Sequence, residues 1–243
     1  MLHQRVTLPT GVPLDVYAPA SPVDPDQRRR GIIICPGGGY THLSMREAEP
    51  VALRFAGMGF VTFVVWYHVA PAVFPTQVQD VACAVAHVRS HAAEYHADSD
   101  ALAVMGFSAG AHVACTLGVM WQDESLWQPL GLTPEQVRPN AMVLGYPVIT
   151  GGTFAHRGSF VNLTGSEDLD VHARYSWRST SRTPRRLPSF GTPGRINPCP
   201  WRTRCSLPPR CTAAACRARR TSIPTAATAQ ACAMKPPTWT AAT

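Results

Sequence analysis

Gly106-Phe107-Ser108-Ala109-Gly110 is the stretch whose residue types and spacing could do chemistry. A serine sits between two glycines, after an apolar strand-like run (Ala101 to Met105) and before a helix-like run (Ala111 to Trp121). That setting fits the G-x-S-x-G elbow, in which a tight strand-to-helix turn lifts the serine hydroxyl clear of a sheet. The turn strains the serine's dihedrals and brings neighbouring backbone so close that only glycine fits on either side. A serine presented this way can attack an acyl carbon and carry the acyl group as a covalent intermediate. The bland alternative is an ordinary Gly/Ser turn, and the flanking strand and helix patterns argue against it.

Cys35-Pro36-Gly37-Gly38-Gly39-Tyr40 is the second such stretch. Acyl transfer needs donors aimed where the tetrahedral intermediate becomes an oxyanion, each typically worth ~3 kcal/mol of barrier. Three consecutive glycines after a buried strand let the backbone turn its amides toward such an oxygen. A flexible turn and a phosphate cradle are the alternatives. The cradle needs a lysine and a hydroxyl downstream, which Thr41-His42-Leu43 does not supply.

Both stretches need a scaffold, and the first part of the chain alternates strand and helix signals as a parallel sheet covered on both faces does. Gly31 to Cys35 reads as a short buried strand, and Glu47 to Ala56 as a helix with acids in its first turn. Val61 to Tyr67 is β-branched and aromatic, hence a strand. Val78, Val81, Ala82, Val85 and Val88 recur at helical spacing, which predicts a helix from Pro75 to about Tyr95. A strand over 101–107, a helix over 111–121 and a strand over 141–146 complete the run. In such folds the reactive groups collect at the carboxyl ends of the strands, where Ser108 and the glycines fall.

Pro36-Gly37-Gly38-Gly39-Tyr40, Tyr67-His68-Val69-Ala70-Pro71 and Gly106-Phe107-Ser108-Ala109-Gly110-Ala111-His112 together resemble the α/β-hydrolase esterases. The resemblance is to the xylan/feruloyl-esterase-like branch of the hormone-sensitive-lipase relatives, and it extends from about residue 12 to 176. A proline stands where the lipases of that group have the histidine of His-Gly-Gly-Gly. The resemblance implies an α/β fold, a doubly wound and mostly parallel sheet. It further implies Ser108 as nucleophile, the amides of Gly38, Gly39 and Ala109 as oxyanion donors, a small-molecule ester substrate, and neither metal nor cofactor. It also implies an acid and a histidine after the serine, the histidine to take its proton and the acid to orient the ring. Only His112, His156 and His172 follow Ser108. His112 lies along the elbow helix and reads as a packed or capping residue. His156 and His172 fall in a loop or cap segment, 154–175, with Glu167, Asp168 and Asp170 as loop acids or a helix start.

The charge distribution suggests why the acid and base are missing. The net charge of +7 averages two unlike parts. Residues 1–177 hold ten arginines, no lysine and all fifteen acidic residues, a net of −5. Residues 178–243 hold eleven arginines, Lys235 and no acid, a net of +12, with ten prolines and five cysteines but no Val, His or Tyr. No apolar periodicity persists there.

Codons chosen for Ser189 to Pro193 and read in the frame displaced by two bases can give Leu-Trp-His-Thr. The same shift over Gly194 to Cys205 can give Pro-Asp-Gln-Ser-Val-Pro-Val-Glu-Asn-Ser-Leu, and over Pro224 to Ala229 His-Gly-Gly-His-Gly. In order and spacing these resemble the family's strand before the acid, its D-x-x-V-P acid loop and its terminal histidine loop. The expectation is therefore an incomplete α/β-hydrolase domain over 1–176, its C-terminal strands missing, and a frameshifted, disordered Arg/Pro/Thr/Ala-rich tail over 177–243.

Other readings of the tail are weaker. Arginine without acid could bind nucleic acid, but RGG repeats are absent and Phe190, Trp201 and Trp239 are too sparse for a stacking platform. The tail cysteines lack C-x-x-C spacing. Cys35, Cys83 and Cys115 sit in apolar patterns and read as buried thiols. No run reaches a membrane span, and Met1 to Val6 lacks the apolar core of a signal peptide, which points to the cytoplasm. The function expected is ester hydrolysis, of a carbohydrate acyl ester for preference, impaired by the lost acid and base. The alternatives are a peptidase of the same fold, or an inactive remnant or binding protein with a nucleic-acid-binding tail.

Overall fold

The computed structural model describes residues 1–19, 27–152 and 154–177. The chain divides into a unit of residues 1–189 and a second of 190–243. The second unit lies outside the described residues, as does the expected tail beyond Trp177.

In chain order the elements are β1 (Leu2–Thr7), β2 (Pro13–Ala18), β3 (Arg29–Cys35), α1 (Glu49–Ala56), β4 (Val61–Val65), α2 (Thr76–Ser90) and β5 (Ala97–Phe107). They continue with α3 (Ala109–Met120), α4 (Glu124–Trp127), α5 (Pro134–Val137), β6 (Ala141–Gly145), α6 (Arg157–Thr164) and α7 (Leu169–Arg174). The strands form one sheet in the order β1-β2-β4-β3-β5-β6. From β4 to β6 all pairs are parallel, while β1 and β2 are joined antiparallel to that edge.

Helices cover both faces, as a sheet of buried parallel strands requires. Helices α2 and α3 bury Val78, Val81, Val85, Val88, Val113 and Leu117 against Ile33, Phe63, Leu102 and Val104. On the other face α1 places Ala48, Ala52 and Ala56 over Ile32, Ile34, Val64 and Met105. From β3 the chain moves outward to β4, then recrosses to β5 on the other side. The order therefore reverses between β3 and β5, where open α/β sheets form their binding crevice. The glycine loop leaves β3 there, and Ser108 leaves β5.

The N-terminal hairpin has no counterpart in the periodicity of the sequence. Asp15 is the reason: it interrupts the apolar pattern of β2, yet is 2% exposed. It is held by Arg5 across the β1–β2 pair, at 2.5 and 2.7 Å, and by the Trp66 indole N–H at 2.7 Å. Helix α2 ends at Ser90 instead of continuing to Tyr95. The His87 carbonyl accepts from the Ser90 hydroxyl and the His91 ring, local bonds that compete with further helix. The helix expected from Glu47 begins at Glu49, after a 3-10 turn over Met45–Glu47. The segment 154–175, expected as loop or cap, contains α6 and α7. On β6, the edge strand at the parallel end of the described sheet, Val143 and Leu144 are 45% and 36% exposed. Among the described residues no helix is long and apolar enough to cross a membrane.

Candidate active site

Ser108 occupies the turn between β5 and α3 with φ 51° and ψ −116°, a conformation costly for any residue but glycine. The surrounding backbone holds it there. Its N–H donates to the Gly145 carbonyl at 3.0 Å, and its own carbonyl accepts from the amides of His112 and Val148, each at 3.2 Å. The flanking glycines are required by contact. A Cβ on Gly106 would lie 2.3 Å from the Gly110 carbonyl oxygen, and one on Gly110 would lie 2.1 Å from that of Cys35. Close approach of α3 to the end of β3 thus depends on Gly110, as expected from the motif.

The glycine loop turns at Gly38 (φ 135°) and Gly39 (φ 64°), both in the region that favours glycine. Its carbonyls are occupied: Gly37 accepts from the Ser44 amide at 2.8 Å, Gly38 from the Thr41 hydroxyl at 2.9 Å and Gly39 from the Asn162 amide at 2.8 Å. The N–H groups of Gly38 and Gly39 have no hydrogen-bond partner among the described residues. Neither has that of Ala109, the first residue of α3, where helix geometry leaves an N–H unpaired. Gly38, Gly39 and Ser108 line one cavity of about 510 Å³ with Thr41, His42, Arg46, Glu47, Tyr146, His156 and Asn162. Unpaired donors and a lifted hydroxyl suit an acyl compound, and the wall around them is mixed polar and apolar.

Behind the loop, Tyr40 and Tyr67 are buried. The Tyr67 hydroxyl donates to the Pro36 carbonyl at 2.5 Å. The next residue of that motif, His68, is fixed by the buried Asp80, which accepts from its amide and meets its Nδ1, both at 2.8 Å. Burial holds both tyrosine hydroxyls well above their usual range, so they stay neutral donors.

His112, expected to be packed or capping, is buried in α3. Its Nε2 lies 2.8 Å from the Tyr175 carbonyl, which can only accept, so the ring proton is on Nε2. Its Nδ1 therefore accepts from the Tyr40 hydroxyl at 2.7 Å. Burial lowers the ring's pKa to about 4, opposed by the Tyr175 bond. Both nitrogens are committed, and His112 is not free to serve the serine.

This pairing has a consequence for stability. With an ordinary histidine value of 6.5 in the unfolded chain, His112 is neutral in both states above that pH. Below it the unfolded chain takes up a proton that the folded one refuses. Stability should therefore fall as pH drops from 6.5, by about 3 kcal/mol at pH 4. Urea unfolding at pH 7.5 and 4 should show a pH-dependent loss smaller by that amount in His112→Gln. An identical loss in both proteins would contradict the assignment.

His172, the second candidate, is 1% exposed, packs on Phe160, and directs its Nε2 to the Ser166 carbonyl at 2.6 Å. Asp168 caps α7 by accepting from the Asp170 amide at 2.8 Å, one of the two roles expected for the acids of this segment. His156 alone of the three lines the cavity with Ser108, its Nδ1 2.8 Å from the buried Ser159 hydroxyl. Ser108 Oγ has no hydrogen-bond partner among the described residues. Trp177, at the start of the expected tail, stacks on His112 and donates to the Thr116 hydroxyl at 2.9 Å. Cys35, Cys83 and Cys115 are buried free thiols, each pushed up by burial, so none competes with Ser108 as a nucleophile. Among the described residues no group of three or more His, Cys, Asp or Glu is arranged to hold a metal ion.

Sequence reasoning assigned no site role to Glu47, Tyr146 or Asn162: Glu47 and Asn162 reach the glycine loop from other elements, and Tyr146 reaches Glu47 from the end of β6.

Residues 14–149, more than half of the chain, match the BD-FAE family. The chain is 32% identical over 154 residues to endo-1,4-beta-xylanase B of Butyrivibrio fibrisolvens, covering 62% of this chain and 24% of that protein. It is 30% identical over 159 residues to an acetylxylan esterase of Xylanibacter ruminicola, covering 63% of this chain and 31% of that protein. The crystal structure of an acetyl ester-xyloside bifunctional hydrolase from Caldicellulosiruptor lactoaceticus superposes with a TM-score of 0.58 at 33% identity. That alignment covers 69% of this chain and 61% of the solved one. The chain thus spans about a quarter of the first relative's length and under a third of the second's.

Proposed function

Because the chain belongs to the BD-FAE family, within the xylan-esterase-like α/β-hydrolases, we propose that it is built for carboxylic ester hydrolysis through an acyl-serine. The carrying observation is the strained Ser108 at the head of α3, in one cavity with the unpaired amides of Gly38 and Gly39. Ser108 Oγ attacks the ester carbonyl carbon. The carbonyl oxygen takes up the negative charge and is held by the N–H groups of Gly38, Gly39 and Ala109. Collapse of the tetrahedral species expels the alcohol and leaves the acyl group on Ser108, and water then releases it as the acid. A short acyl group on a carbohydrate is the proposed substrate class, consistent with the xylan-linked names of the relatives.

The same chemistry requires a base to take the serine proton, and none is bonded to Ser108 Oγ among the described residues. We attribute this to a shifted reading frame from about Trp177, which leaves an impaired enzyme or an inactive remnant that retains the old pocket. Hydrolysis of p-nitrophenyl acetate should then run near background. Removing a triad leaves only ~10³–10⁴-fold acceleration over water, from the oxyanion donors and binding. Robust turnover that Ser108→Ala abolishes would refute the impairment. His156→Ala would then test the one following histidine that lines the cavity.

A further inference from the structure

Glu47 is a charged group in the cavity wall that the proposed reaction does not use. It ends the 3-10 turn after the glycine loop and reaches back to it: Oε2 accepts the Gly37 N–H at 2.7 Å. Oε1 accepts the hydroxyl of Tyr146, the residue after β6. Tyr146 has φ 35° and follows Gly145, whose carbonyl holds the Ser108 amide. One carboxylate therefore joins two segments that flank Ser108. Gly37 is held in both of its peptide groups: Glu47 accepts the N–H of the Pro36–Gly37 peptide, and the Ser44 amide donates to the carbonyl of the Gly37–Gly38 peptide, which carries the Gly38 N–H. A Cβ on Gly37 would lie 2.7 Å from Glu47 Oε2, 2.7 Å from the Phe107 carbonyl oxygen and 3.1 Å from Ser108 Cβ. The carboxylate and the serine thus face each other across the space of one absent methyl group.

Negative charge beside a developing oxyanion opposes it, so a direct part for this carboxylate at the reacting carbonyl is unfavourable. Its two oxygens instead accept charge-assisted bonds, which are short and directional. We propose that Glu47 is a positioning residue: by fixing the Pro36–Gly37 peptide, where the loop leaves β3, it sets with Ser44 the path of the backbone and so the direction of the Gly38 and Gly39 N–H groups relative to Ser108. This rests on the oxyanion assignment above. A misdirected donor loses transition-state stabilisation and leaves ground-state binding largely intact, so the effect belongs in kcat.

The test compares the parent with Glu47→Ala and Glu47→Gln by residual p-nitrophenyl acetate hydrolysis and by amide spectra of ¹⁵N-glycine-labelled protein. In Glu47→Ala, kcat should fall by about 10- to 100-fold with KM within about twofold, as for a weakened oxyanion donor. The Gly38 and Gly39 amide signals should move. Glu47→Gln keeps an acceptor for Gly37 and a donor that the Tyr146 oxygen can accept, so it should restore most of both. If Glu47→Ala moves the signals but leaves kcat unchanged, the carboxylate is structural only and the proposal is overturned. A parent that hydrolyses no faster than Ser108→Ala is the result expected of a chain without its base and leaves the esterase reading standing, because the residual rate then comes from the oxyanion donors and binding. The spectra decide the positioning role in either case. Unmoved Gly38 and Gly39 signals in Glu47→Ala would overturn that role.

Discussion

On the proposed reading, shifting the frame near codon 177 should raise esterase turnover by about 10⁴- to 10⁶-fold, which is the range lost when a catalytic triad is removed. The restored segment would carry an aspartate in an Asp-Gln-Ser-Val-Pro loop and a histidine in a His-Gly-Gly-His-Gly loop. In an open α/β sheet such loops follow the strands at their carboxyl ends, on the side where Ser108 already stands. The histidine would take the serine proton, and the aspartate would hold the ring in the productive tautomer. The pocket needs no rebuilding for this, because Ser108, Gly38 and Gly39 already line one cavity. Solubility should rise as well. Val143 and Leu144 are exposed on the edge strand at the parallel end of the described sheet, and an added strand would pair the edge that β6 presents. Steady-state hydrolysis of short p-nitrophenyl esters by the two proteins, at equal folded concentration, measures the gain. A soluble, folded, frame-restored protein that cleaves no ester of any chain length would show that the assignment is wrong. The elbow would then be only a structural turn.

Gly110→Ala should cost the chain about 3 kcal/mol or more, a large fraction of the roughly 5–15 kcal/mol that holds an ordinary domain together. The added methyl would meet the Cys35 carbonyl oxygen at 2.1 Å and the Pro36 carbonyl oxygen at 2.4 Å. Both obstacles are backbone, so no rotamer change relieves them, and α3 must withdraw from the end of β3. That movement would also separate Ser108 from the glycine loop, so any folded fraction should lose its residual hydrolysis. Gly158→Ala, in α6, is the matched control: its nearest atom is 3.9 Å away and its backbone is ordinary helix. It should be neutral or stabilising by about 0.5–1 kcal/mol. Urea midpoints for the two variants give the comparison, and a Gly110→Ala midpoint within error of the parent would mean that the elbow tolerates separation.

What the sequence determined by itself was whatever is encoded locally. The strand Ala141–Gly145, the helical spacing of the α2 valines and the glycines around Ser108 are written in neighbouring residues, because strand period, helix period and close backbone approach each act over a few positions. The elbow and the glycine loop were legible for the same reason, and so were the three buried thiols.

Tertiary structure decided what depends on residues far apart in the chain. Asp15 is tolerated inside the sheet because Arg5 and Trp66 meet it there, and no periodicity announces that arrangement. His112 is spoken for because Tyr40, 72 residues earlier, and Tyr175, 63 residues later, close on its two nitrogens. Glu47 reads as the start of a helix in sequence. It becomes part of the site only because β3, β5 and β6 are neighbours in the sheet, which brings Gly37, Ser108 and Tyr146 around one carboxylate. Side-chain pairing of this kind follows from strand order, and strand order is set by how the whole sheet buries its two faces.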